Sequence, residues 1–317
     1  MQVSLRIKLF GIPRIQIEPS TICDLPTQKA KFLFYYLLLF HENSHVRETL
    51  ETLFWGDHPE PRARRSLSTE LWRLRRWIEP LEADDNPLLS TQEGVVRLRL
   101  ADSWSLDTLE FEQCLAKAQQ FEPTQPTQAA ELLHHAVQLY SGELLEGCYY
   151  DWCFAERERL HQAYLDALLK LMVYHGARRE YAMAIECGKQ LLRIDPLQEQ
   201  VHRELMKLYV LNQQQPQALA QYQTCVQVLH SELGIAPDLE TQAIMRQVMI
   251  GQVIPTSSGE GAKRALSEPS GQIRSLAARV RLALGQIENV QRELQDTLQA
   301  LEELQVPQPQ SKRSQVL

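Results

Sequence analysis

The segment His41-Glu42-Asn43-Ser44-His45 matches the pattern H-E-x-x-H. On a helix, that spacing puts two imidazoles on one face to hold zinc, with the glutamate placed to activate a water. The chemistry therefore requires helical geometry. Asn43 and Ser44 are poor helix-interior residues because their side chains compete for backbone hydrogen bonds. His41 stands at the fraying end of the apolar run "FLFYYLLLF" at 32–40, and no third ligand stands at a recognisable spacing. The segment reads as a turn. Other patterns are weaker. "GEGAKR" at 259–264 lacks P-loop spacing and a preceding strand. His134 and His135 are neighbours in helical sequence, so they point in different directions. The six cysteines contain no C-x-x-C pair; Cys148 and Cys153 are the closest two, and free thiols in a reduced compartment are expected. No catalytic constellation, cofactor or metal is expected.

The richer chemistry is in arginine. The net charge of the 317-residue chain is −7, but residues 1–100 hold 14 Lys/Arg against 13 Asp/Glu, and the remainder 19 against 27. Within 59–76 six arginines face two glutamates. The stretch "RARRSLSTELWRLRRWI" predicts a helix from Arg62 to Ile78. Leu67, Leu71, Leu74 and Ile78 form its core face. Arg62, Arg65, Thr69, Trp72, Arg73 and Arg76 fall opposite, with Arg64 and Arg75 on a flank. Guanidinium groups suit bidentate contact with phosphate or guanine. The competing reading is a solvated face with ion pairs, but only Glu70 and Glu79 are seen as in-helix partners. DNA contact is therefore expected, through Arg62, Arg64, Arg65, Thr69, Arg73 and Arg76. Arg97 and Arg99, on a following strand, are candidate phosphate contacts.

The elements that must position this helix can be read around it. "VSLRIKL" (3–9) and "IPRIQI" (12–17) alternate as strands about Gly11. Residues 28–40 and 47–55 read as helices. "PLLST" and "VVRLRL" read as a hairpin turning through Gln92, Glu93 and Gly94. Strands, three helices and a hairpin are the order of a winged helix behind a small sheet. From about 107 to 249 the pattern is helical, broken near Pro123–Pro126, Ser141–Gly142, His175–Ala177, Asp195–Pro196, Gln213–Pro216 and Gly234–Pro237. A shift of 34 residues aligns Leu171 with Leu205, Ala184 with Ala218 and Ile185 with Leu219, the tetratricopeptide period. The expected organisation is mainly α with a small β component. A winged-helix DNA-binding domain occupies 1–102 and a tetratricopeptide-like domain 103–250. A flexible linker follows at 251–271, then a coiled coil at 272–306 and a disordered tail at 307–317. No membrane span or signal peptide is read, so a cytoplasmic chain is expected.

The order of the first hundred residues resembles the winged-helix domain of SARP-type regulators, the antibiotic-pathway activators of bacteria. "LYSGELLEGCYYDWCFAERERL" at 139–160 resembles the hallmark of their partner module, the bacterial transcriptional activator domain. The motif places fall on Leu139, Tyr140, Gly142, Leu144, Leu145, Gly147, Trp152, Glu156 and Arg157. "LRIDPLQEQVHRELMKLY" and "ALAQYQTCVQVLHSELGIAPDLET" extend the resemblance to about residues 3–249. Leu144, Leu145, Tyr149 and Trp152 are expected to pack helices rather than to mark a site. The resemblance implies a transcriptional activator whose winged helix grips double-stranded promoter DNA. It also implies that the helical domain recruits RNA polymerase or its sigma factor. No nucleotide-binding module is expected after the helical domain. The rival reading is a protein-interaction adaptor whose winged helix does not read DNA.

Residues 273–304 carry heptads. Ile273, Val280, Ile287, Leu294 and Leu301 occupy a; Leu276, Ala283, Val290, Thr297 and Leu304 occupy d. Every a and three of the five d residues are aliphatic over more than four heptads, with Ala283 and Thr297 weakening the seam. This predicts a coiled coil and a homo-oligomer, the alternative being that the segment folds back on its own helical domain.

Overall fold

The computed structural model describes residues 4–17, 21–22, 25–81 and 87–250. Cys23, the linker, the heptad segment and the tail lie outside the described residues. The chain divides into two compact units between Cys187 and Gly188.

The first unit opens with two strands, β1 (Leu5–Lys8) and β2 (Arg14–Ile17). Leu5 and Ile7 are buried and Arg6 and Lys8 exposed, the period-two alternation of a sheet with one covered face. β1 and β2 pair antiparallel, Ile7 opposite Ile15. Two short strands that periodicity does not reveal complete the sheet. β3 (Thr21–Ile22) pairs with β2, and β7 (Trp104–Leu106) runs parallel to β1. Parallel pairing needs a long crossover, and the crossover here is the whole helical core between them.

That core is α1 (Gln28–Leu39), α2 (Arg47–Trp55) and α3 (Glu60–Ile78). Thr27 caps α1 by accepting from Ala30 N–H at 3.0 Å, the role its short hydroxyl suits. α1 buries Leu33, Phe34, Tyr35, Leu37 and Leu38, which explains its nearly unbroken apolar run. A second sheet has the order β4 (His45–Val46), β6 (Val95–Leu98), β5 (Leu89–Gln92). Its hairpin turns through Glu93 and Gly94, both with positive φ (53° and 76°), as a two-residue type I′ turn demands.

Three helices follow: α4 (Asp107–Phe121), α5 (Pro126–Leu139) and α6 (Asp151–Ala177). α6 runs through the expected break at His175–Ala177 and stops at Ala177, the chain turning at Arg178 and Arg179 instead. Between α5 and α6 lies the hallmark loop, which locks onto the end of β1. Gly11 N–H donates to Glu143 O (2.8 Å), Leu145 N–H to Leu9 O (2.8 Å) and Glu146 N–H to Gly11 O (3.0 Å). Buried Asp107 accepts from the N–H of Leu9 (2.8 Å) and Phe10 (3.0 Å). Arg157 holds the loop's other side, donating to the carbonyls of Leu144 (2.9 Å), Leu145 (3.0 Å) and Cys148 (3.1 Å). Leu144 and Leu145 are fully buried. Tyr150 and Trp152 lie against rings of the first helices: Tyr150 on Phe32 and Phe54, Trp152 on Tyr36. Tyr149 corrects the expectation that it packs helices, for it is 82% exposed. It sits in a loop, where no helical period says which of two adjacent tyrosines turns inward.

α7 (Tyr181–Ile194) carries the chain across the unit boundary. The second unit holds α8 (Glu199–Leu211), α9 (Gln215–Leu233) and α10 (Leu239–Met249), with α10 packed on the other two. Of the positions related by 34 residues, Leu171, Leu205, Ala184, Ala218 and Ile185 are buried and Leu219 is half-buried. Asp238 caps α10 through Thr241 N–H (2.8 Å) and pairs with the largely buried Arg203 (2.6 Å). Burial pushes its carboxyl up, but the Thr241 N–H and the guanidinium outweigh that and hold it below the usual aspartate value. Among the described residues no helix is long and apolar enough to cross a membrane.

The loop-to-strand lock depends on two glycines in contact. A Cβ on Gly142 would lie 2.9 Å from Gly11 Cα, against backbone that is hydrogen-bonded and cannot yield. Gly142→Ala is expected to destabilise the fold by about 1–3 kcal/mol. An unchanged urea midpoint would contradict this account.

Candidate nucleic-acid interface

α3 is built to present one face. Pro59 precedes it and Pro61 stands in its first turn, where a missing N–H costs nothing. Ala63, Leu67, Leu71, Leu74 and Ile78 are buried, as the sequence period predicts. Arg62, Arg64, Arg65, Thr69, Trp72, Arg75 and Arg76 are exposed on the other side.

Glu70 is the exception to a simple two-faced helix. It is buried, accepting from Thr27 Oγ1 (2.6 Å) and from Arg73 (2.6 Å). Thr27 thus uses its hydroxyl twice, capping α1 and donating to α3. Burying a carboxylate is tolerable only with such partners.

The arginines fall into two groups. Arg64 pairs with Glu60 (2.8 Å), Arg73 with Glu70 (2.6 Å) and Arg76 with Glu79 (3.2 Å). Glu60 is thus a third in-helix acid beyond the two expected, because α3 starts two residues earlier than its sequence pattern suggests. Arg62 and Arg65 have neither an ion pair nor a side-chain hydrogen bond among the described residues. Both line an open recess of about 570 Å³, with Trp55, Pro61, Ser66, Thr69 and Glu70. So the structure brings Arg62, Arg65 and Thr69 together, and turns Arg64, Arg73 and Arg76 toward carboxylates. Thr69 Oγ1 donates to Arg65 O (2.9 Å), so its oxygen lone pairs remain to accept.

The hairpin flanks this face. Arg75 donates to Thr91 Oγ1 of β5 (2.7 Å), tying α3 to it. Arg97 and Arg99 are exposed, on the side away from buried Val96 and Leu98, and Arg97 Nε donates to Ser44 Oγ (2.9 Å). Sequence reasoning missed Arg47, whose guanidinium donates to Ser68 of α3 (2.7 Å), and Trp55 in the recess wall. Neither belongs to the α3 period, so only the tertiary fold reveals them.

The zinc-like pattern does not form a helix. α1 ends at Leu39, and His45 is in β4, paired with Val96. His41 Nδ1 donates to Leu38 O (2.9 Å) and His45 Nε2 to Phe40 O (3.1 Å). His134 and His135 diverge, to His175 (2.8 Å) and Glu110 (2.7 Å) respectively. Cys148 and Cys153 are buried and hydrogen-bond each other, which pulls Cys148 down to about 7 and pushes Cys153 up. Among the described residues no three His, Cys, Asp or Glu side chains gather as a metal requires.

Burial lowers the His45 imidazole below its ordinary value, the Phe40 carbonyl only partly opposing. The unfolded chain then takes up a proton near pH 6.5 that the folded chain resists. The stability His45 contributes is present above that pH and is lost as pH falls through the folded value. His45→Gln should flatten the change in urea midpoint between pH 7.5 and 5.5; an equally steep change would contradict this.

The family profile of the bacterial transcriptional activator domain matches residues 106–249. Regulatory protein AfsR of Streptomyces coelicolor is 24% identical over 247 residues, covering 78% of this chain and 24% of AfsR. This chain therefore spans about a quarter of that relative's length. Transcriptional regulatory protein MoaR1 of Mycobacterium tuberculosis is 26% identical over 269 residues, covering 77% of this chain and 83% of MoaR1. In fold, the chain is similar to Mycobacterium tuberculosis EmbR, solved in complex with a low affinity phosphopeptide. The TM-score is 0.69 at 20% identity, over 87% of this chain and 71% of that one.

Proposed function

We propose that the chain is a SARP-type transcriptional regulator bearing a bacterial transcriptional activator domain, and that it reads double-stranded promoter DNA through α3. The observation that carries this reading is the pair Arg62 and Arg65, exposed beside Thr69 at the start of α3 without partners among the described residues. The N-terminal part of such a helix is what reaches base edges in the major groove. Arg97 and Arg99 on the hairpin would touch phosphate. Arg64 and Arg76 would exchange their exposed glutamates for phosphate on docking, while Arg73 would add to the field from its place on buried Glu70. The helical domain, by family resemblance, contacts RNA polymerase or its sigma factor. Capture of genomic fragments on the immobilised protein, followed by sequencing, tests the reading. Enrichment of a shared sequence is expected; no enrichment would leave the adaptor reading in its place.

Arg65→Ala should weaken binding to the enriched sequence by about 1–3 kcal/mol if the contact is to a base edge. If it is to phosphate, the loss should be equal on any duplex, and the salt slope should fall by roughly one. Wild-type affinity in both tests would mean that the face is merely solvated.

The heptad segment is proposed to join two copies, through Ile273, Leu276, Val280, Ile287, Val290, Leu294, Leu301 and Leu304. Pairing would present two α3 helices to neighbouring sites, the second at raised effective concentration. Truncation after residue 250 should convert the oligomer to a monomer and weaken binding to paired sites more than to single ones. Light scattering that gives a full-length monomer at micromolar concentration would rule this out.

A further inference from the structure

The face of α3 that carries the arginines also carries an indole. Trp72 stands three residues after Thr69, seven after Arg65 and four before Arg76, so the four project from one side. It is 62% exposed. The chain's four other tryptophans all sit in ring clusters: Trp55 on Phe54, Trp77 and Trp104 on Phe34, and Trp152 on Tyr36. Among the described residues Trp72 has no ring partner. No guanidinium stacks on it either, although cations lie over Trp55 and Phe154 elsewhere. Of the nearby arginines, Arg73 is paired with Glu70, Arg76 with Glu79, and Arg75 donates to Thr91.

An indole has a single N–H donor and no acceptor, so it cannot replace an arginine on phosphate. What it offers is a broad apolar surface at the centre of a charged face. In the major groove of a duplex, the apolar group on offer is the thymine C5-methyl. We propose that Trp72 is a specificity-determining residue that packs on thymine methyl groups in the major groove. The proposal rests on the DNA-reading assignment of α3 made above. It adds a preference that arginines alone would not give, since they favour guanine.

The test uses the full chain and the duplexes enriched from genomic DNA, remade with deoxyuridine replacing thymidine one position at a time. At one or two positions the wild type should lose about fourfold in affinity, the worth of one buried methyl group. Trp72→Ala should bind the thymine and uracil forms of those duplexes equally. Arg65→Ala should lose affinity overall yet keep the methyl effect. In parallel, the iodide-quenchable tryptophan fluorescence, assigned to Trp72 by its loss in Trp72→Phe, should become protected on adding duplex. A methyl effect that survives Trp72→Ala, indifference to every deoxyuridine, or unchanged quenching in the complex would overturn the proposal. If the wild type enriches no DNA, the reading of α3 falls and this one with it. If it binds DNA without a methyl effect, only the role of Trp72 falls.

Discussion

The N–H groups of Leu9 and Phe10 are spent on the buried carboxylate of Asp107, and the first compact unit depends on that contact. Buried backbone donors must find partners. These two stand just past the end of β1, where no neighbouring strand continues to supply carbonyls. Asp107 meets them while also opening α4 and bonding its own Thr108 N–H (2.8 Å). Burial raises its carboxyl above the usual value, and the three donors work against that rise. With the donors of β1 turned toward α4, the carbonyls of Leu9 and Gly11 remain to receive Leu145 and Glu146 of the hallmark loop. One strand end therefore gathers the sheet, α4 and the loop before α6.

A second polar link stands inside the helical core. Thr27 and Glu70, 43 residues apart in sequence, meet at 2.6 Å and fix α1 against α3. Arg73 completes the site, so this arginine has a structural duty as well as a place near the charged face. Each ion-paired arginine of α3 has its glutamate at three- or four-residue spacing, while Arg75, four residues before Glu79, bonds Thr91 instead. Arg62 and Arg65 lack such neighbours. They are the ones left for an external anion.

Much of this was legible in the sequence where a local period existed. α2 falls on the expected 47–55, the core face of α3 is the expected one, and the hairpin turns at Glu93-Gly94. β4 and β7 were not legible, because strands of two or three residues carry no period and exist only through their partners. The Asp107 contact spans 98 residues and leaves no local trace. Of the candidate site, the arginine face could be read from spacing. The recess wall at Trp55 and the brace from Arg47 could not, since both come from α2. Tyr149 and Tyr150 show the limit most plainly, because adjacent identical residues in a loop differ only in what the fold brings beside them.

The seating of Tyr150 and Trp152 among the rings of Phe32, Tyr36 and Phe54 has a consequence in geometry. Together with the backbone lock at Leu9–Gly11 it ties the first helices to the loop before α6 at two separate places, which opposes a swivel between them. A regulator joined this way resists rotating one part to compensate for the other. Were α3 to read DNA as proposed, whatever surface the helices α4 to α6 present would point in a fixed direction around the axis of the duplex. Moving the bound site by half a helical turn, about five base pairs, would carry that surface to the opposite side of the DNA. Spacing from a promoter would then matter by phase as much as by distance.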